Sequence, residues 1–267
     1  MMSSAVEAKI IRKNDIQYKG SSSRAHRLDL YYPPARKNLP LLVFIHGGAW
    51  VTGDKDIWSK LATRWAELGY AVAVVNYRLS LSPGLIHPVH SQDVAAACGW
   101  LVEHQNDHPY SPTKTVLIGH SAGAHIAAFL ASHPSMLSEE GVSGPFAPKG
   151  AIGIGGIYDI KAFAKSFPRY ERNYVLKAFP NPEKWDEASP SKQKVSVRFP
   201  WAVIHSKNDE AVNIAQAKQF HEHLKSQGIE SELMIFDRYS HTGIMDHLGD
   251  QKDKVTLRIQ AFLKNIL

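Results

Sequence analysis

Thr115-Val116-Leu117-Ile118-Gly119-His120-Ser121-Ala122-Gly123-Ala124-His125-Ile126-Ala127-Ala128 joins an apolar run to a small-residue run through a bend that carries one serine. Thr115 and the three apolar residues Val116, Leu117 and Ile118 ahead of Gly119 suit a buried strand, and Ala122, Ala124, Ile126, Ala127, Ala128 and Leu130 continue at helix-compatible positions. The G-x-S-x-G pattern between a strand and a helix places its serine on a sharp turn. Both glycines let neighbouring backbone come close, and the hydroxyl points out at the carboxyl edge of a sheet. The competing reading is a small-residue packing turn that holds a buried serine, and the rest of the chain decides between the two.

Upstream, Leu41-Leu42-Val43-Phe44-Ile45 is a continuous apolar run that suits a strand covered on both faces, and it ends in His46-Gly47-Gly48-Ala49-Trp50. Lys9 to Ile11 and Leu28 to Tyr32 read as edge strands, with a turn at Ser21-Ser22-Ser23 and a stop at Pro33-Pro34. Tyr70 to Tyr77, Gly150 to Ile154, Trp201 to His205 and Glu232 to Phe236 are further strands. Between them the periodicity predicts helices over Ile57 to Leu68, Val89 to His104, Ala211 to Gln227 and Lys254 to Leu267. Gly69 and Gly228 close the first and third of these. Strands that alternate with helices imply a mostly parallel central sheet with helices on both faces, and ligands then sit beyond the carboxyl ends of the strands. One α/β domain over residues 1–267 is expected.

Residues 157–198 carry no strand signal but hold Tyr158, Phe163, Phe167, Tyr170, Tyr174, Phe179 and Trp185. They read either as a small cap inserted over a site or as the apolar face of helices packed on the sheet.

With 44% hydrophobic residues the 267-residue chain can bury a sizeable core. Its formal charge of +6 is scattered and lacks a dense basic run with interleaved aromatics, so nucleic acid is not an expected partner. A single cysteine, Cys98, excludes an internal disulfide, and a small buried apolar role is expected for it. Met1 to Asp15 has no signal-peptide core, and no stretch approaches the roughly 20 apolar residues of a membrane span. A cytoplasmic protein is expected, with the oligomeric state open and a homodimer among the options. Ligand spacings for a metal, a phosphate loop and a dinucleotide fingerprint are absent from the sequence, so no cofactor is expected.

A serine hydroxyl needs a base within hydrogen-bond reach and a third group that fixes the base's tautomer. In this class of sheet the chain order is serine, acid, histidine. After Ser121 the best pair is Asp209, in His205-Ser206-Lys207-Asn208-Asp209-Glu210 past one strand, and His241, in Tyr239-Ser240-His241-Thr242 past the last. Glu210 is the alternative acid and His247 the rival base. His120 and His125 read as packing or supporting groups. The backbone N–H groups of Gly47 and Gly48, with that of Ala122 after the serine, are candidates for an oxyanion hole.

At these residues the chain resembles the α/β-hydrolase superfamily, in its HGG-type, hormone-sensitive-lipase-like branch. Within that branch it is most similar to the kynurenine formamidase (arylformamidase) family. The similarity rests on His46-Gly47-Gly48-Ala49-Trp50, Tyr77-Arg78-Leu79-Ser80, Gly156-Ile157-Tyr158-Asp159-Ile160-Lys161, Ala178-Phe179-Pro180 and His205-Ser206-Lys207-Asn208-Asp209-Glu210. Gly119-His120-Ser121-Ala122-Gly123-Ala124-His125 is shared with broad-range carboxylesterases. The resemblance covers nearly the whole chain and implies Ser121 as nucleophile, Asp209 as acid and His241 as base. It departs at Ala49, where many esterases of the branch carry a third glycine. It further implies an acyl-enzyme mechanism on a small acyl group, ideally formyl, held by an aryl amine. Trp50, Tyr158, Phe163 and Phe167 are the candidates to surround the leaving ring. A short-acyl carboxylesterase uses the same residues, and a ligand-binding protein on the same fold is a third reading.

Overall fold

A computed structural model describes residues 9–267 of the chain. Its eight strands are β1 (Ile11–Gln17), β2 (Arg27–Tyr32), β3 (Leu39–Ile45), β4 (Ala71–Val75), β5 (Tyr110–His120), β6 (Gly150–Ile154), β7 (Trp201–Ser206) and β8 (Ser231–Phe236). They form one sheet in the order β1-β2-β4-β3-β5-β6-β7-β8. β1 and β2 are antiparallel to their neighbours, and every pairing from β4 to β8 is parallel.

The continuous apolar runs are explained by burial on both faces. Leu41, Val43 and Ile45 belong to one core layer while Leu42 and Phe44, between them, belong to the other. The first layer is closed by α2 (Val89–Glu103), by α3 (Ala122–Ser132) and by the helix Ala215–Ser226, and the second by α1 (Ser59–Glu67) and the helix Lys254–Ile266. Each buried leucine or phenylalanine contributes about 1.5–3 kcal/mol, so register errors that turn these strands over are strongly disfavoured. β1 lies at the open edge with Arg12, Lys13 and Asp15 exposed, charges that discourage pairing with a second chain.

The differences from the sequence reading lie at element ends and have local causes. The expected strand at Lys9 begins at Ile11 and runs on to Gln17; residues 1–8, and with them part of the N-terminal reading and of the 1–267 domain, lie outside the described residues. Asp54 accepts the N–H of Asp56 and holds a 3-10 turn over Lys55–Trp58, so α1 starts only at Ser59. The helix expected from Ala211 starts at Ala215 because Asp209 takes the N–H groups of both Ala211 and Val212. β5 starts five residues early, at Tyr110, where Tyr110 and Ser111 pair with Leu39 and Pro40.

Residues 157–198 form the helix Ile160–Ser166, capped by Asp159, and then a series of single turns. Tyr158, Phe163, Phe179 and Trp185 are buried in the same core layer as α2 and α3, and Phe163, Tyr170 and Tyr174 also wall the cavity over Ser121. No helix among the described residues is long and apolar enough to cross a membrane.

Candidate active site

β3 and β5 are neighbours in the sheet, and the chain leaves β3 towards one edge and β5 towards the other. Their carboxyl ends therefore lie at the crevice where such sheets take ligands. β5 leads directly into Ser121, whose φ of 53° and ψ of −117° are sparsely populated for a residue with a side chain. The turn is held by the Ser121 N–H on the Ile154 carbonyl at 2.8 Å and by the Ala124 and His125 N–H groups on the Ser121 carbonyl at 3.0 and 3.2 Å. Gly123 is needed because a Cβ there would collide with the carbonyl oxygen of Ile45, so α3 starts pressed against β3.

The loop after β7 supplies Asp209 and the loop after β8 supplies His241. His241 Nδ1 donates to Asp209 Oδ2 at 2.8 Å. Asp209 Oδ1 accepts from the N–H groups of Ala211 and Val212 at 3.0 and 2.8 Å. Burial acts to raise the Asp209 carboxyl, but the His241 hydrogen bond and charge and the Val212 N–H outweigh it and hold the group below its ordinary value. A carboxylate that receives Nδ1–H leaves the lone pair of His241 on Nε2, the arrangement of a general base.

The alternatives separate by geometry. Glu210 does not reach the ring; it accepts the backbone N–H of His241 at 3.1 Å. His247 sits 3.0 Å from Asp253 and is not among the cavity's lining residues. His120 and His125 are buried, and desolvation pushes them down to about 3 and about 4, so both rings are neutral near pH 7. His125 donates from Nε2 to the Ala188 carbonyl at 2.8 Å and accepts the Trp50 indole N–H at Nδ1, 3.3 Å away.

After β3 the loop carries Gly48 at φ 118°, followed by Ala49 and Trp50 in the left-handed region at φ 49° and 62°. Gly47 lies against the serine: a Cβ on it would stand 3.0 Å from Ser121 Cβ and 2.9 Å from His120 Nδ1. Among the described residues the N–H groups of Gly48 and of Ala122, the first residue of α3, donate to no protein acceptor. Gly48 lines the cavity, whereas Gly47 and Ala122 do not.

Ser121, His241, His120, Gly48 and Ala49 line a cavity of about 190 Å³. Thr52, Ile157, Phe163, Tyr170, Tyr174, Ala211, Val212 and Thr242 complete its lining, which among the described residues includes no aspartate, glutamate, lysine or arginine. Of the four aromatics expected around the leaving group, Phe163 lines this cavity. Trp50 does not: it is fully buried and packs edge-on against His125 and Phe179, because the left-handed turn carries its ring beneath the loop. Tyr158 stacks flat on Phe220, ring centroids 4.0 Å apart, and belongs to the core. Phe167 packs behind the wall on Phe163 and Tyr170. The sequence reading did not single out Tyr170 and Tyr174 for this wall; their spacing of four, on one side of a helical turn, is the signal that could have done so. A second cavity, of about 370 Å³, lies at the far end of α3 among Phe129, His133, Phe179 and Trp185, and contains neither Ser121 nor His241.

Residues 28–224 match the BD-FAE family. Over 260 residues the chain is 29% identical to a probable isoprenylcysteine alpha-carbonyl methylesterase from Oryza sativa subsp. japonica, covering 90% of this chain and 60% of that one. Over 221 residues it is 26% identical to a kynurenine formamidase from Meyerozyma guilliermondii, covering 77% and 79%. Among solved structures, a truncated carbohydrate esterase from gut microbiota superposes with a TM-score of 0.80 at 20% identity, covering 98% of each chain. The chain spans between about half and three-fifths of the length of the curated relatives it matches first. It has the α/β-hydrolase fold and belongs to the BD-FAE family.

Proposed function

We propose that the protein is a serine hydrolase that works through an acyl-enzyme and needs no cofactor. Ser121 Oγ attacks the substrate carbonyl carbon as its proton passes to His241 Nε2, and Asp209 holds the ring and stabilises the imidazolium. The oxyanion is received by the backbone N–H groups of Gly47, Gly48 and Ala122, with Gly47 also keeping the loop close to the serine. Collapse of the tetrahedral intermediate breaks the bond to the leaving group, which takes the proton from Nε2. Water then attacks the acyl-enzyme with His241 again as base. The observation that carries this reading is that Ser121, at φ 53°, and His241, held 2.8 Å from Asp209, line one cavity. In this reading the chain is a single domain, and residues 157–198 are its cap.

For the substrate we propose a small acyl group, formyl foremost, on an aryl amine. The relatives named kynurenine formamidase support it, as does the Phe163-Tyr170-Tyr174 wall, which suits an aromatic leaving group. The second reading, a short-acyl ester of an uncharged alcohol or phenol, is favoured by the lack of charged side chains in the cavity lining, since the amino-acid end of N-formylkynurenine would meet no counter-charge there. Relatives named esterases point the same way.

The test is kcat/KM for N-formylkynurenine beside that for phenyl acetate, with Ser121→Ala as control. A tenfold advantage for the formamide, about 1.4 kcal/mol in transition-state binding, establishes the first reading, and the same margin for the ester establishes the second. Residual activity of Ser121→Ala above roughly a thousandth of wild type would remove the serine from its role.

A further inference from the structure

We infer that His120 and Glu210 are positioning residues that clamp the backbone of His241, one at its carbonyl oxygen and the other at its N–H, so that the base is aligned by its main chain as well as by Asp209. The inference rests on His241 being the base of the proposed reaction. Asp209 grips the imidazole through one N–H only, and His241 sits in the loop between β8 and the short helix Gly243–Asp246. A loop residue held at a single ring atom can still rotate about that hydrogen bond and carry Nε2 away from the serine.

Two further contacts remove that freedom. Glu210 Oε2 accepts the His241 N–H at 3.1 Å. His120 Nε2 lies 3.0 Å from the His241 carbonyl oxygen, and because a carbonyl only accepts, Nε2 carries the proton. The adjacent acids thus divide the work, Asp209 taking the ring N–H and Glu210 the peptide N–H, from a loop whose turn Asp209 itself holds.

His120 does more than complete the clamp. Its buried Nδ1 has no hydrogen-bond partner among the described residues and would stand 2.9 Å from a Cβ on Gly47, and its ring centroid is 4.7 Å from that of His241. The ring is wedged between the base and the oxyanion loop, one residue ahead of Ser121. Burial keeps it neutral across the working range, so it remains a donor and adds no second cation beside the imidazolium. An imidazole is suited to the place, being a flat ring with one N–H at the reach required.

The test is steady-state hydrolysis of phenyl acetate by His120→Phe, His120→Gln, Glu210→Ala and Glu210→Gln, with melting temperature and the rate of Ser121 labelling by a phosphonate. Glutamine keeps an N–H near the place of Nε2 at position 120 and an acceptor oxygen at 210. His120→Phe and Glu210→Ala are expected to lower kcat and labelling about tenfold with KM within twofold, and the glutamine variants to return to within threefold of wild type. Activities of His120→Phe and Glu210→Ala within twofold of wild type would overturn the clamp. Equal losses in the glutamine and apolar variants would also overturn it, because packing rather than hydrogen bonding would then be at work. Should His120→Phe fail to fold, His120→Asn replaces it: its amide falls short of the carbonyl, so it must be impaired where His120→Gln is not, and equal activity overturns the clamp. Activity surviving in Ser121→Ala would instead show that the underlying reaction is misassigned.

Discussion

Asp209 Oδ1 accepts the N–H groups of Ala211 and Val212 while its Oδ2 accepts Nδ1–H of His241, so neither carboxylate oxygen is free to exchange roles. In Asp209→Asn the amide oxygen has to stay with the two backbone donors, which turns the amide NH₂ toward His241. The ring must then accept at Nδ1 and carry its proton on Nε2, where it cannot take one from a serine. Hydrolysis of phenyl acetate is expected to fall by about 10⁴ in kcat with the fold retained. A loss of less than tenfold in folded protein would show that the tautomer is set elsewhere.

Buried histidines make the fold sensitive to acid, His46, His90, His120 and His125 among them. His46 and His125 are pushed down to about 4, and His90 and His120 to about 3, by burial first of all. Their folded values lie below the ordinary 6.5, so the unfolded chain binds protons that the folded chain refuses. Their effect is absent well above 6.5, and stability falls as pH drops below it, by up to about 1.4 kcal/mol per pH unit for each histidine. Urea unfolding at pH 7 and at about pH 5 should give a markedly lower free energy at the lower value, from proton uptake by such groups. Equal stabilities at the two pH values would mean that these rings are hydrated in the folded protein.

Lys55 is fully buried, and its Nζ lies 2.8 Å from carboxylate oxygens of Asp15, Asp29 and Asp56. Burial alone acts to lower its pKa, but the three carboxylates outweigh that and raise it. The cluster ties the β1–β2 edge to the segment that follows the oxyanion loop. Lys55→Met keeps the bulk but leaves the buried Asp29, among the described residues, with only Arg12 as a charged partner, at 3.2 Å. A loss of about 3 kcal/mol in unfolding free energy is expected. A change below about 1 kcal/mol would show that water reaches Asp29 once the ammonium is gone.

What could be read before any coordinates follows from where the deciding contacts lie along the chain. Leu41 to Ile45 and Ala71 to Val75 announce themselves as doubly covered strands because each residue feeds one of two layers, and Ser121 announces itself because its turn requires Gly119 and Gly123 within two positions. Tyr158 and Trp50 could not be placed in this way. The first is decided by Phe220, some sixty residues on, and the second by His125 and Phe179, contacts that leave no local pattern. Asp209 and Glu210 are chemically alike neighbours. Only the loop's course, which sends one to the ring and the other to the peptide of His241, separates them.

Ala49 and Trp50 occupy the left-handed region in succession, and neither is glycine. For a residue with a Cβ that conformation costs about 1–2 kcal/mol, so the loop is held there by something else. The Trp50 side chain is the hold, fully buried, its indole N–H on His125 and its ring edge-on to Phe179. Ala49 contributes strain and one wall of the cavity but no such anchor. Ala49→Gly relieves the strain while giving the unfolded chain more freedom, and the first effect is the larger where φ is positive. A gain of up to about 1 kcal/mol is expected, which for a protein of this size is about 2–4 °C in melting temperature. The same freedom loosens the Gly48 N–H, so kcat on phenyl acetate should fall by roughly threefold, about 0.7 kcal/mol of transition-state stabilisation. A higher melting temperature with unchanged kcat would mean that Trp50 alone fixes the loop, and a lower melting temperature would mean that the Ala49 methyl stabilises the cavity wall by more than its backbone strains it.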